Sequence, residues 1–309
     1  MTFRLYDRGE PRDLPEIPFN QKLHDPKLYR PSEGLIQAVN VALNLHQPLL
    51  LTGEPGTGKT QLAHHLAWFF GLEEPEVFDA QTTSTARDLL YHYDALAHFQ
   101  YSQTQNKELT QADIEDRFID FRALGKVIKE KRKAVVLIDE IDKAPRDLPN
   151  DVLGVLERLE YRVPELNNKI FKSEVTKRPI IVMTSNSEKN LPDAFLRRVT
   201  FFHIPFPTAA ELLDILQLKT EGLDQVHLKK VIQLFESIRK GRKVKLKKNP
   251  ATAELIAWAM LLQRMGFPMN KLDDLSSLSD NERDQLVQSY SVLAKNKEDL
   301  HELQTKMTR

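Results

Sequence analysis

The chain has 309 residues, 41% of them hydrophobic and 28% charged, with 44 Lys+Arg against 44 Asp+Glu and no cysteine. That apolar share excludes a disordered chain, and a formal charge of zero argues against a protein built mainly to coat nucleic acid. The missing cysteine excludes disulfides, thiolate metal sites and cysteine nucleophiles.

At about 150 residues per domain, the length suggests roughly two domains. Residues 1–31 carry Pro11, Pro15, Pro18, Pro26 and Pro31, which predicts an extended arm with little helix. No apolar stretch follows a basic start, so no secretory signal is expected. Leu35, Ile36, Val39 and Leu43 keep a helical period over 32–46. Pro48-Leu49-Leu50-Leu51 then reads as a strand buried on both faces. A glycine-rich loop over 53–60 leads into a helix over 61–70. Residues 77–80 make a second short strand. The stretch 80–132 reads as helix, insertion, helix around a polar centre at 101–111. A third buried strand covers 134–138, a helix 151–160, and a hairpin 161–171 turning at Asn167-Asn168. Residues 180–184 and 199–204 supply the fourth and fifth strands. Strands alternating with helices predict a parallel sheet covered on both faces.

After Pro205-Phe206-Pro207 the pattern is helical only. Thr208 and Glu211 fit a capping box, and helical periods run over 212–216, 228–238 and 255–262. The expected organisation is an N-terminal arm 1–31, an α/β core 32–207 with a helical insertion near 82–131, and a helical domain 208–309. No run of 18 apolar residues occurs, so no membrane span is expected and the cytoplasm is the expected location.

Gly53-Glu54-Pro55-Gly56-Thr57-Gly58-Lys59-Thr60 matches G-x-x-x-x-G-K-[ST], placed between a strand and a helix as phosphate binding requires. Its glycines let backbone N–H groups turn inward around phosphate oxygens. Lys59 can reach the terminal phosphates as a point charge, and Thr60 can place a hydroxyl on Mg²⁺. The helix running on through Gln61 presents its positive end to the anion. Val135-Val136-Leu137-Ile138-Asp139-Glu140 is an apolar strand running into two acids whose side chains alternate in direction. Asp139 can hold Mg²⁺ through water, and Glu140 can polarise a water for in-line attack on a γ-phosphate. Asp142 is read as structural. The histidines show no metal-ligand spacing, so nucleotide Mg²⁺ is the metal expected.

GEPGTGKT, VVLIDEID, MTSN and LPDAFLRRV, in that order and followed by a helical tail, resemble the AAA+ ATPases over about residues 30–265. Within them, PLLLTGEPGTGKT, the hairpin before the fourth strand, and LPDAFLRRV followed by IPFP resemble the MoxR group. The resemblance implies a P-loop AAA+ core with a parallel five-stranded sheet, followed by an all-helical lid, with ATP and Mg²⁺ as cofactors. Asn186 matches the sensor 1 position, where an amide holds the attacking water; Thr184 could substitute. Taken alone, Asn186 reads as a strand-end cap of a turn. The family places an arginine after the LPDAFL segment that reaches the nucleotide of a neighbouring subunit. Arg198 aligns best with it and Arg197 is the alternate; taken alone, both suit a helix C-terminus. A finger acting across subunits implies a ring-forming homo-oligomer, expected to be a hexamer.

The segment Asn249-Pro250-Ala251-Thr252-Ala253-Glu254-Leu255 has no arginine where many AAA+ lids carry sensor 2; Asn249 and Pro250 suit a helix N-cap and first turn. The run 239–248 is strongly basic and reads as a solvated loop, with nucleic acid or an acidic partner surface as alternatives. Thr82-Thr83-Ser84-Thr85 reads as a helix cap or, by the resemblance, as a neighbourhood facing a central pore. The implied function is ATP hydrolysis that remodels a partner protein, a client or adaptor for which a von Willebrand factor A domain is the family's frequent choice. A nucleic-acid motor or loader is the alternative the basic run supports. A nucleotide-dependent switch or scaffold with little turnover is the one the missing sensor 2 arginine supports.

Overall fold

A computed structural model of the chain describes residues 6, 13, 14, 16, 20–104, 109–186, 191–241 and 244–306. The chain forms two compact units. The first comprises 31–53 and the described parts of 58–204. The second comprises the described parts of 1–30, residues 54–57, and the described parts of 205–309.

The first unit holds strands β1 (Leu49–Gly53), β2 (Glu76–Asp79), β3 (Tyr91–Tyr93), β4 (Ile119–Phe121), β5 (Val135–Asp139), β6 (Glu160–Val163), β7 (Lys169–Lys172), β8 (Ile180–Ser185) and β9 (Thr200–Ile204). Its helices are α1 (Glu33–Leu45), α2 (Lys59–Phe69), α3 (Ala95–Thr104), α4 (Gln111–Phe118), α5 (Ala123–Glu130), α6 (Leu148–Arg158) and α7 (Asp193–Leu196). Five strands form one parallel sheet in the order β2-β5-β8-β1-β9, as the alternating pattern predicts. The apolar runs form its central strands because only side chains without polar atoms suit a strand covered on both faces: Leu50, Leu51, Val135, Val136 and Leu137 are fully buried.

Register decides where the strands end. Ile138 lies opposite Met183, and Thr52 lies opposite Ser185. The carboxyl ends of β1, β5 and β8 therefore share one edge, the edge at which open α/β sheets take their ligands.

The segment expected as helix, insertion, helix carries more than helices. β3 and β4 pair antiparallel, with Tyr91 opposite Phe121 and Tyr93 opposite Ile119, and α3 and α4 lie between them. α5 follows and is locked onto this ladder. The N–H groups of Arg122 and Leu124 donate to the carbonyls of Leu90 and Leu89 at 2.9 and 3.1 Å. A Cβ on Gly125 would sit 1.8 Å from the Leu90 carbonyl oxygen, so only glycine allows this approach. The hydroxyl residues at 82–85 close turns instead of capping a helix. Ser84 Oγ accepts from the Gln81 N–H at 2.9 Å, and the Thr85 N–H donates to Asp88 at 2.8 Å. α6 starts at Leu148, ahead of the expected 151, with Pro149 in its first turn, where its missing N–H is no loss. β6 and β7 form the expected hairpin, and Asn167 and Asn168 turn it at φ +53° and +61°, a region asparagine tolerates.

The second unit contains α8 (Ala209–Lys219), α9 (Gln225–Arg239), α10 (Thr252–Arg264), α11 (Asp280–Ser289) and α12 (Lys297–Lys306). They bury Leu212, Leu216, Phe235, Leu255, Trp258, Leu286, Tyr290 and Leu303, each fully shielded from solvent. The Trp258 indole N–H donates to Ser289 Oγ at 2.8 Å, which satisfies the one polar atom of that side chain. The Thr208–Glu211 capping box forms as expected. The cap expected at Asn249-Pro250 does not: α10 begins at Thr252, and Glu254 reaches back to accept the Ala251 N–H at 2.9 Å. In the N-terminal stretch, 20–30 make short 3-10 turns at Gln21–Leu23 and Pro26–Leu28. Lys219 ties the first of them down by donating to the carbonyls of Lys22 and Leu23 at 2.7 and 3.1 Å. Pro11, Pro15 and Pro18 lie outside the described residues. Among the described residues, no helix is long and apolar enough to cross a membrane.

Candidate nucleotide site

The loop after β1 is shaped by glycine. Gly56 and Gly58 stand at φ +78° and +87°, where a side chain would be strained. Its crest, Glu54, Pro55 and Gly56, is exposed, while Lys59 is buried with 7% of its surface accessible. Lys59 Nζ donates to the Gly53 carbonyl at 2.9 Å, which folds the side chain back along the loop. Burial pushes its ammonium pKa down, and the charges of Asp139, Asp142 and Glu140 pull it partly back. Helix α2 starts at Lys59, and its N-cap residue, Gly58, has no side chain to cap it. An uncapped helix start beside a desolvated lysine is a site that an added anion would stabilise.

The acids meet the loop at the strand ends. Thr60 Oγ1 donates to the Asp139 carboxylate, with its two oxygens at 3.1 and 3.2 Å. These hydroxyl and carboxylate oxygens are the hard donors that Mg²⁺ takes. Thr184, fully buried on β8, donates its hydroxyl to Asp139 Oδ1 and accepts the Glu140 N–H at 2.9 Å. Glu140 turns out of the strand at φ +52°, an uncommon and costly conformation for a residue with a side chain. Its carboxylate is held from two sides: Asn186 Nδ2 donates to Oε1 at 3.0 Å, and Lys143 pairs with Oε2. That pairing raises the Lys143 pKa. Asp142 accepts the Asn186 N–H at 3.3 Å.

Thr184 thus bonds both the Asp139 carboxylate and the Glu140 backbone. Thr184→Val keeps the volume but leaves the partly buried amide of Glu140 without its acceptor. The expected loss is about 1–3 kcal/mol of unfolding free energy. A denaturant midpoint equal to that of the parent would show the hydroxyl idle.

The arginines are elsewhere. Arg198 pairs with Glu157 at 2.9 Å and donates to the Ala194 carbonyl at 3.0 Å. Among the described residues, no hydrogen bond or ion pair joins Arg197 or Arg198 to Asp139, Glu140 or Asn186. The sequence reading missed Lys143, whose i+3 spacing from Glu140 was the available signal. It also misplaced Arg239, which is no part of a solvated loop. Arg239 ends α9 and is 12% exposed; within the second unit it pairs with Glu54 at 2.5 Å, donates to the Pro250 carbonyl at 2.7 Å, and stacks on Phe206 at 3.6 Å.

Residues 48–199 match the family model described as the AAA domain, dynein-related subfamily. Residues 48–199 are thus similar to an AAA domain, and the five-stranded parallel sheet with its helices is the AAA+ fold. The match does not reach to the MoxR group. None of the curated proteins compared matches the chain. Among solved structures, two point variants of RuvB from Thermotoga maritima are similar at 14% identity. One alignment covers 88% of this chain and 69% of that one, with a TM-score of 0.42; the other covers 89% and 71%, with a TM-score of 0.46. A third, the Thermotoga maritima RuvB Holliday junction branch migration motor, has 14% identity and a TM-score of 0.40 over 88% of this chain and 69% of that one. At these scores the likeness carries no inference about what this chain acts on.

Proposed function

We propose that the chain is a MoxR-like AAA+ ATPase that binds ATP with Mg²⁺, hydrolyses it at subunit interfaces of a ring, and uses the motion to remodel a partner protein. The observation that carries the chemistry is the linked set Thr60, Asp139, Thr184, Glu140 and Asn186 beside buried Lys59. Gly53, Glu54, Pro55, Gly56, Thr57 and Gly58 would wrap the phosphates, with Lys59, Thr60 and Gln61 at the helix start. Thr60 and Asp139 would hold Mg²⁺. Bound ATP supplies the phosphoanhydride bond to be broken. Glu140 orients a water and takes its proton, and Asn186 holds that carboxylate in place. Arg198, with Arg197 as alternate, would serve the neighbouring subunit's site, in keeping with the lack of any hydrogen bond or ion pair from either to Asp139 or Glu140 among the described residues. The ring is proposed as a hexamer working in the cytoplasm, with a client or adaptor of the von Willebrand factor A type.

The interface part of this reading has its own test. Turnover per chain should rise with protein concentration as rings assemble. The Arg197→Ala/Arg198→Ala variant should bind nucleotide as the parent does and lose turnover at every concentration. Parental turnover in that variant, or turnover independent of concentration in the parent, would remove the arginines from the mechanism.

A further inference from the structure

The basic run is built into the second unit in a way that a solvated loop is not. From Val244 onward it alternates: Val244 is buried, Lys245 is exposed, Leu246 packs on the helical core, and Lys247 is exposed again. Two anchors fix it. The N–H groups of Lys247 and Lys248 donate to the two carboxylate oxygens of Asp299, at 2.8 and 3.1 Å, and Asp299 is 1% exposed. Asn296 Nδ2 donates to the same carboxylate at 2.7 Å. Asp299 therefore brings the run beside the start of α12, where Lys297 is also exposed.

The charge balance at this place is one-sided. Asp299 is buried and used by backbone. Glu254 is paired with Lys295 at 2.8 Å, and Glu298 is the exposed acid at the start of α12. Among the described residues, Lys245, Lys247, Lys248 and Lys297 have no carboxylate within ion-pair distance. None of the large exposed apolar side chains lies in 244–250 or 291–306.

We propose that Lys245, Lys247, Lys248 and Lys297 form a docking surface for the phosphate backbone of double-stranded nucleic acid, a function beyond ATP hydrolysis and independent of it. Lysines are point charges that meet phosphates without reading sequence. Single strands call for aromatic stacking platforms, and the patch has none. An acidic peptide would need apolar anchors to gain affinity, and the patch has none of those either. With the backbone at Lys247 and Lys248 already fixed, binding orders little more than the lysine side chains.

The test uses the full chain and a labelled random-sequence DNA duplex, with binding followed by fluorescence anisotropy between about 50 and 200 mM salt. The parent should bind, with log affinity falling linearly in log salt. Lys245→Gln/Lys247→Gln/Lys248→Gln should weaken binding at least tenfold and reduce the salt slope by about one for each lysine removed. Its melting should match the parent, since all three side chains are exposed. Asp299→Asn removes a negative charge beneath the patch, so charge alone would tighten binding; loss of the anchor should loosen it. No duplex binding at low salt, a parental slope in the triple variant, tighter binding by Asp299→Asn, or preference for poly-glutamate over duplex would each overturn the proposal.

Discussion

Glu140→Gln should bind ATP as the parent does and turn it over about a thousandfold more slowly, within the ~10²–10⁴ that a positioned general base contributes. The change is isosteric, and the amide oxygen can still accept from Asn186 Nδ2, as Glu140 Oε1 does. The loop amides, Lys59, and the Thr60–Asp139 pair are untouched. What goes is the carboxylate proposed as the general base, together with the Lys143 ion pair. Steady-state hydrolysis and calorimetric titration with ATP·Mg²⁺, run side by side, separate the two effects. Turnover within tenfold of the parent would take Glu140 out of the chemistry. A parent that binds nucleotide with no measurable turnover would favour the switch reading over the motor.

Gly125→Ala should be the most damaging single methyl group in the first unit. The added carbon would meet the Leu90 carbonyl oxygen at 1.8 Å and its carbon at 2.5 Å, both backbone atoms that cannot rotate away. Two further ties hold the two backbones at this distance, the Arg122 and Leu124 N–H bonds to Leu90 and Leu89, while the Tyr161 hydroxyl donates to the Gly125 carbonyl at 3.0 Å and holds α5 against β6. Leu89, Leu124, Val127 and Ile128 around them are fully buried. Overpacking a core costs about 1–3 kcal/mol and occasionally more, and a backbone clash belongs at about 3 kcal/mol or above. Against a total of about 5–15 kcal/mol, that is a large share. Denaturant titration should show the midpoint drop, with soluble yield falling alongside. A midpoint within error of the parent would mean that α5 and the β3–β4 ladder slide apart freely.

These two residues differ in how far the sequence announces them. Glu140 is legible because an apolar strand ending in paired acids is a local pattern, as is the glycine spacing of the phosphate loop. The central strands β1 and β5 are legible for the same reason: Leu49-Leu50-Leu51 and Val135-Val136-Leu137-Ile138 are too apolar to be anything but buried. Gly125 is not legible, since it sits inside a helical period and its reason lies in Leu90, 35 positions earlier. β3 and β4 are three residues each and too short to show a period of two, with two helices between their ends. The Asn249-Pro250 cap looked sound locally and lost to a carboxylate reaching back from Glu254. The Asp299 anchor joins positions about fifty apart through backbone amides, which carry no side-chain signature. Thr184 was within reach, because the β5–β8 pairing of Ile138 with Met183 sets Asp139 beside it.

The left-handed backbone at Glu140 puts durability and work in opposition at one residue. A side chain in that region costs about 1–2 kcal/mol that glycine would not. Selection for heat resistance alone would drift toward glycine there and arrive at a sturdier protein without its carboxylate. Under the proposed function, mutation campaigns that rank variants of this chain by melting temperature would enrich variants without the general base at that position, so a survival screen and a turnover screen would diverge first at residue 140.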